Sequence, residues 1–121
     1  MNRLVFFAHP KCSTCRAARE WLQNKQLAFV EKDIRTSPPS VADLRAMLKG
    51  QGGETRRLCN TSGIEYRAQG LGAKLPTMSP DEVLRLLAGN GMLVKRPFLL
   101  GPGVALVGFK EKAWAENLPA P

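Results

Sequence analysis

The sequence predicts an α/β fold: a mixed four-stranded sheet flanked by helices, with a helical insertion between its two halves. Three observations carry this expectation. Residues 4–7 are a short apolar run rich in strand formers, followed by a helix-forming segment and a second strand-like segment, the pattern of a parallel pair joined by a right-handed crossover. Residues 98–100 and 104–107 are two further short strands joined by Gly101-Pro102-Gly103, which reads as an antiparallel hairpin. Between these halves lie capped helical segments and irregular turns.

Residues 4–7 are apolar without alternation, as in a strand buried on both faces. His9-Pro10-Lys11 breaks the run. A helix fits residues 13–25, whose Ala, Arg, Glu, Leu and Gln are good helix formers. Cys15, Ala18 and Leu22 fall on one stripe of it, with Trp21 beside them, so that stripe packs on the sheet. Residues 27–34 give the second strand. After Pro38-Pro39, Ser40 is the N-cap of a helix carrying Leu44, Met47 and Leu48, with Gly50 as its stop. Residues 52–75 read as turns and short helical pieces. Ser79-Pro80-Asp81-Glu82 is a capping box with proline in the first turn. Val83, Leu86 and Leu87 supply that helix's apolar face, and Gly89-Asn90-Gly91 ends it. After the hairpin a last helix spans 110–116, with Trp114 turned inward. The order of strand, helix, strand, helical middle, strand, strand and helix is that of a thioredoxin-like (glutaredoxin-like) fold.

The chain has 121 residues, the length of one domain. The expected organisation is a single domain over 1–121 with the helical insertion at about 36–92. No apolar run approaches the ~20 residues of a membrane span, and residues 4–8 are too short for a signal-peptide core. The expected location is therefore the cytoplasm, and the expected state a monomer. The three cysteines are too few for a secreted disulfide scaffold, and in a reducing compartment a close pair is catalytic, redox-sensing or metal-binding. The net charge of +8 favours anionic partners, glutathione among them. Its basic residues are scattered, with only Arg56-Arg57 and Lys95-Arg96 adjacent and no aromatic RNA-binding motif, so direct nucleic-acid binding is not expected.

Cys12-Ser13-Thr14-Cys15 follows the first strand and opens the first helix. The free N–H groups and dipole of a helix start favour negative charge, so the Cys12 thiolate is favoured there. Lys11 and Arg16 add positive charge. Cys15 lies one turn deeper, where it can attack a mixed disulfide formed at Cys12. Two other readings compete. Zinc sites also use C-x-x-C, and His9, Cys12, Cys15 and Cys59 supply four candidate ligands, although Cys15 falls inside a regular helix rather than a zinc knuckle. Both cysteines can also be purely structural, as Cys59 is by default. A second constellation, Lys95-Arg96-Pro97, precedes the third strand. In this fold its loop faces the start of the first helix, so Arg96 can stabilise the thiolate or bind an anionic substrate.

Four ordered motifs carry a family likeness: His9 to Arg16; Asn60-Thr61-Ser62-Gly63 with Tyr66-Arg67; Gly91 to Pro97; and Val107-Gly108-Phe109-Lys110. Together they resemble the ArsC/Spx family, closest to its YusI-like branch with a C-x-x-C motif, over nearly the whole chain. The resemblance implies Cys12 as nucleophile, Cys15 as resolving cysteine, Arg96 as the arginine beside them, and a cis Pro97. Lys11, Ser13, Thr14, Arg16, Asn60 and Pro97 are the implied substrate-binding residues. No bound cofactor or metal is implied; glutathione, glutaredoxin or thioredoxin would supply electrons to a dithiol acting on disulfide or glutathione-linked substrates. The family's arsenate reductases place three arginines around the cysteine. Here only Arg96 matches cleanly: the second, after the Lys95-Arg96-Pro97 segment, has no counterpart because residues 99–107 contain no basic side chain, and the one in the middle region falls at or near Asn60, with Arg56 and Arg57 close by. The family's Spx branch implies the alternative of a redox-sensitive regulator that binds the RNA polymerase alpha subunit.

Overall fold

The computed structural model describes residues 3–118; the outermost residues of the expected domain, 1–2 and 119–121, lie outside them. Four strands, β1 (Leu4–Ala8), β2 (Phe29–Asp33), β3 (Phe98–Gly101) and β4 (Val104–Val107), form one sheet in the order β2-β1-β3-β4. β1 pairs in parallel with β2, from Leu4 opposite Phe29 to Ala8 opposite Asp33, and antiparallel with β3. β3 and β4 make the antiparallel hairpin. The sheet is the thioredoxin-like one that the sequence predicts.

Six α-helices flank it among the described residues: α1 (Ser13–Asn24), α2 (Val41–Gly50), α3 (Ile64–Ala68), α4 (Leu71–Lys74), α5 (Pro80–Ala88) and α6 (Glu111–Asn117). Central β1 is buried on both faces, which explains its unbroken apolar run. Phe6 packs in one layer with Cys15, Ala18 and Leu22 of α1 and Trp114 of α6. Phe7 points the other way, into a layer with Leu44 and Met47 of α2 and Val83, Leu84 and Leu87 of α5. Edge strand β2 instead exposes Glu31 and Lys32, charges that oppose edge-to-edge pairing.

Local signals explain most element ends. Ser40 with Asp43 and Ser79 with Glu82 form reciprocal capping boxes. Three expectations need correction. β2 starts at Phe29 rather than 27, because the Leu27 amide turns back to the Leu22 carbonyl at 3.1 Å, with Gln26 at a φ of 57°, closing α1 in a Schellman motif. Gly50 is not the stop of α2 but its last residue; a Cβ there would meet the Ala105 side chain on β4 at 2.5 Å, so glycine is set by close helix–sheet approach. On α5, Leu84 is fully buried and Leu86 only partly, because the apolar face runs through Val83, Leu84 and Leu87.

The segment after α2 contains a 3-10 turn over Thr55–Leu58. A single antiparallel bridge joins Cys59 to Val94, reinforced by bonds from the Asn60 amide to the Leu93 carbonyl at 2.7 Å and from the Lys95 amide to the Leu58 carbonyl at 2.8 Å. This clamp brings Arg56 and Arg57 near the loop that carries Arg96. The Arg96–Pro97 bond is cis, as the resemblance implies.

Candidate functional site

Cys12 is the N-cap of α1, and its sulfur accepts the Cys15 amide at 3.3 Å. Cysteine is not among the preferred N-cap residues; serine, threonine, aspartate and asparagine are. A thiol thus occupies the place of the usual capping oxygen. The remaining free N–H groups of the first turn face the same end. Cys12 is half-buried and Cys15 fully buried, both as free thiols.

Burial pushes the Cys15 thiol up to about 12; the His9 backbone and the charge of Arg96 oppose this, while Cys12 adds to it. Cys15 is therefore a protonated thiol at neutral pH, held one turn below its half-buried partner. Burial, with the charges of Arg96 and Arg35, also lowers the pKa of His9, against the charge of Asp33. Its Nδ1 accepts the Lys11 amide at 3.0 Å. Arg96 is half-buried, and its Nη1, fully buried, has no hydrogen-bond partner among the described residues. A buried guanidinium N–H without an acceptor is a donor available to a ligand.

Arg96 also separates two clefts. The first, about 560 Å³, runs from Thr14 on α1 to Val107 and Phe109, and its cations include Arg56, Lys95 and Lys110. The second, about 540 Å³, is lined by Asn60, Ser62, Ile64 and Met92. The expected substrate residues are thus divided: Thr14 lines the first cleft and Asn60 the second, with Arg96 common to both. Ser13, Lys11 and Arg16 are exposed at the start of α1 and line neither. Pro97, which follows Arg96 in sequence, is buried. Lys95 and Lys110 were legible only as members of motifs, not as walls of a common cleft.

Cys59 is buried, its thiol donating to the Thr55 carbonyl at 3.5 Å, and burial raises its pKa to about 11 against the charge of Arg56. Among the described residues no group of three or more His, Cys, Asp or Glu is placed to hold a metal ion, so His9, Cys12, Cys15 and Cys59 do not come together as four ligands. No described helix is long and apolar enough to cross a membrane.

The ArsC family model matches residues 7–117 of the sequence. The chain belongs to the ArsC family. This ArsC-family chain is 43% identical over 114 residues to the uncharacterized protein YusI of Bacillus subtilis (strain 168), covering 94% of this chain and 97% of YusI. It is 29% identical over 116 residues to the global transcriptional regulator Spx of Enterococcus faecalis, covering 96% of this chain and 86% of Spx. The crystal structure of a possible arsenate reductase from Streptococcus mutans UA159 superposes with a TM-score of 0.84 at 40% identity, covering 91% of this chain and 93% of that one.

The thiol environments give a direct prediction. At pH 8 iodoacetamide is expected to modify Cys12 on the order of a hundredfold faster than Cys15 or Cys59 in the folded, reduced protein, as peptide mapping over time would show. Equal rates for the three would contradict the burial argument. The same shifts couple to stability. Each unfolded thiol titrates near 9.0, whereas the folded values are about 12 and about 11. Above the unfolded value the unfolded chain has lost protons that the folded chain retains. The stabilising contribution is therefore complete below about pH 9 and is lost as pH rises toward the folded values, by at most about 1.4 kcal/mol per pH unit for each thiol. Denaturant unfolding of the parent and a Cys15→Ala, Cys59→Ala protein should diverge in slope between about pH 9 and 11.

Proposed function

We propose that this ArsC-family chain is a thiol–disulfide oxidoreductase acting on disulfide or glutathione-linked substrates. The observation that supports this most is the Cys12 sulfur at the start of α1, with the Cys15 amide at 3.3 Å. In the proposed cycle the Cys12 thiolate attacks one sulfur of a substrate disulfide. A bond forms between Cys12 and that sulfur, and the other substrate sulfur leaves as a thiolate. The leaving thiolate takes the Cys15 proton, and Cys15 attacks the Cys12 sulfur. The second substrate sulfur is released as a thiolate, and Cys12 and Cys15 end as a disulfide. Two electrons have passed from the dithiol to the substrate.

Two equivalents of an external thiol, from glutathione, glutaredoxin or thioredoxin, restore the pair. Arg96 is assigned to hold substrate negative charge through its unpartnered Nη1, and Lys11, Ser13, Thr14, Arg16, Asn60 and Pro97 to contact substrate around the pair. A second reading draws on the likeness to Spx over 116 residues: the same cysteine pair as the redox switch of a regulator that binds the RNA polymerase alpha subunit.

The test is a paired assay with arsenate and a small neutral disulfide, using glutathione–glutaredoxin and thioredoxin as donors. Disulfide turnover is expected and arsenate turnover is expected to be weak. A multiply charged anion beside a thiolate needs several donors, and each charge-assisted hydrogen bond is worth about 1.5–3 kcal/mol. Two missing arginines therefore cost on the order of a hundredfold or more in rate. Arsenate turnover equal to disulfide turnover would mean that Arg56 and Arg57 rebuild the anion site. No turnover of either would favour the regulator.

A further inference from the structure

We propose that the larger cleft binds an extended acidic polypeptide segment, which adds to the sheet along the free edge of β4 at Val107. The proposal rests on the disulfide-exchange reading only for the cargo of that segment, a cysteine sulfur delivered toward Cys12.

Charge is the first argument. The cleft walls carry Arg56, Arg57, Lys95, Arg96 and Lys110 against a single carboxylate, Glu54. Glu54 is committed to Arg57 at 3.1 Å. Among the described residues the other four cations make no ion pair, and the protein's remaining salt bridges lie elsewhere, at Arg19, Arg35 and Arg45. A concave surface of one sign selects a ligand of the other.

Backbone geometry is the second. Gly108 donates to the Pro97 carbonyl at 2.8 Å, so the pair of residues 97 and 108 is a hydrogen-bonded one. In an antiparallel ladder such pairs alternate with pairs whose N–H and C=O groups point away. Leu99 with Leu106 is therefore bonded, while Val107 opposite Phe98 and Ala105 opposite Leu100 turn their peptide groups outward. At Ala105 that edge is closed, because Gln51 Nε2 donates to its carbonyl at 2.9 Å. At Val107 no side chain or other segment among the described residues does the same, and Val107 lines the cleft. One donor and one acceptor at strand spacing, set in a cationic trough, match an extended peptide. A nucleic-acid strand matches less well: it needs stacking platforms, and the cleft's single aromatic, Phe109, is engaged edge-on with Trp114 at 4.9 Å.

Thr14 supplies the third. It lies in the first turn of α1 and lines the same cleft, so a segment seated beside Val107 ends next to the turn that Cys12 caps.

The probe is a fluorescent ten-residue peptide of alternating glutamate and threonine with a central serine, which binds without thiol chemistry. Fluorescence anisotropy is measured against a lysine-for-glutamate version, a ten-nucleotide oligothymidylate, and two versions N-methylated along one edge or the other. The acidic peptide should bind tightest, and weaken as salt is raised. A Lys95→Glu, Lys110→Glu protein, checked for folding by thermal melting, should bind it about tenfold or more weakly. One N-methylated peptide should lose about fivefold and the other should bind like the parent peptide. Equal binding of acidic and basic peptides, tighter binding of the oligonucleotide, or indifference to N-methylation on both edges would overturn the proposal. Disulfide exchange by Cys12 is measured separately. If it is absent while the charge and edge dependence hold, the cleft assignment stands and the exchange reading falls.

Discussion

Serine in place of Cys12 is expected to cut disulfide turnover by a factor on the order of a thousand or more while leaving the fold intact. The two effects separate for a structural reason. Cys12 is the N-cap of α1, accepting the Cys15 amide, and in the proposed cycle it is also the attacking sulfur. Serine is among the best N-caps, so Cys12→Ser keeps or improves the helix start and removes only the nucleophile. The hydroxyl has no thiolate-like form at neutral pH, and among the described residues the Cys12 side chain is hydrogen-bonded to no base that would create one. Thermal melting should therefore stay within a few degrees of the parent, or rise, as activity disappears. Substantial residual turnover would move the nucleophile to Cys15 or Cys59, against their burial. Cys15→Ser should behave differently: the first attack still occurs, and the mixed disulfide on Cys12 accumulates until an external thiol releases it.

Gly91→Ala is expected to destabilise the protein by about 3 kcal/mol, lowering the melting temperature by about 10 °C or more. Gly91 is buried in the 3-10 turn Gly91–Leu93, which Asn90 caps through the Met92 amide. A Cβ at Gly91 would collide with the Ile34 carbonyl oxygen and approach Pro38 Cβ to 3.3 Å. The obstacle is backbone rather than the tip of a flexible chain. Ile34 is itself fixed, its amide bonded to the Ala8 carbonyl at 3.0 Å and its side chain fully buried. Relief requires moving the end of β2 or the segment leading to Arg96, so any surviving folded fraction should also lose disulfide turnover. Gly103→Ala is the contrast. Its φ of 73° carries strain but its surroundings are open, which costs about 1–2 kcal/mol. A Gly91→Ala protein as stable as the parent would show that the two segments separate more easily than their contact implies.

Much of the fold was legible because local and long-range requirements agree. The apolar run of β1, the capping boxes at Ser40 and Ser79, and the Gly-Pro-Gly hairpin each fix an element by short-range chemistry, and the crossover rule orders the strands. The misreadings come where tertiary contact decides. Gly50 looks like a helix stop in sequence, but glycine is required by Ala105, more than fifty positions away. Leu27 is as strand-like as Phe29, and only its bond back to Leu22 removes it from the ladder. The cysteine pair was legible because its chemistry is contiguous. The cationic cleft was not. It joins residues 14, 51–61 and 95–110, and the Cys59–Val94 bridge that aligns two of those segments leaves no pattern in the sequence. The orphaned nitrogen of Arg96 is likewise a property of its surroundings.

The central claim is that Cys12 and Cys15 form the working redox pair. Mild oxidation of the reduced protein, trapping of free thiols and peptide mapping test it most directly. The predicted result is one disulfide, Cys12 to Cys15, with Cys59 recovered as a free thiol. A disulfide that includes Cys59, or a Cys12 that oxidises only between molecules and never with Cys15, would contradict it.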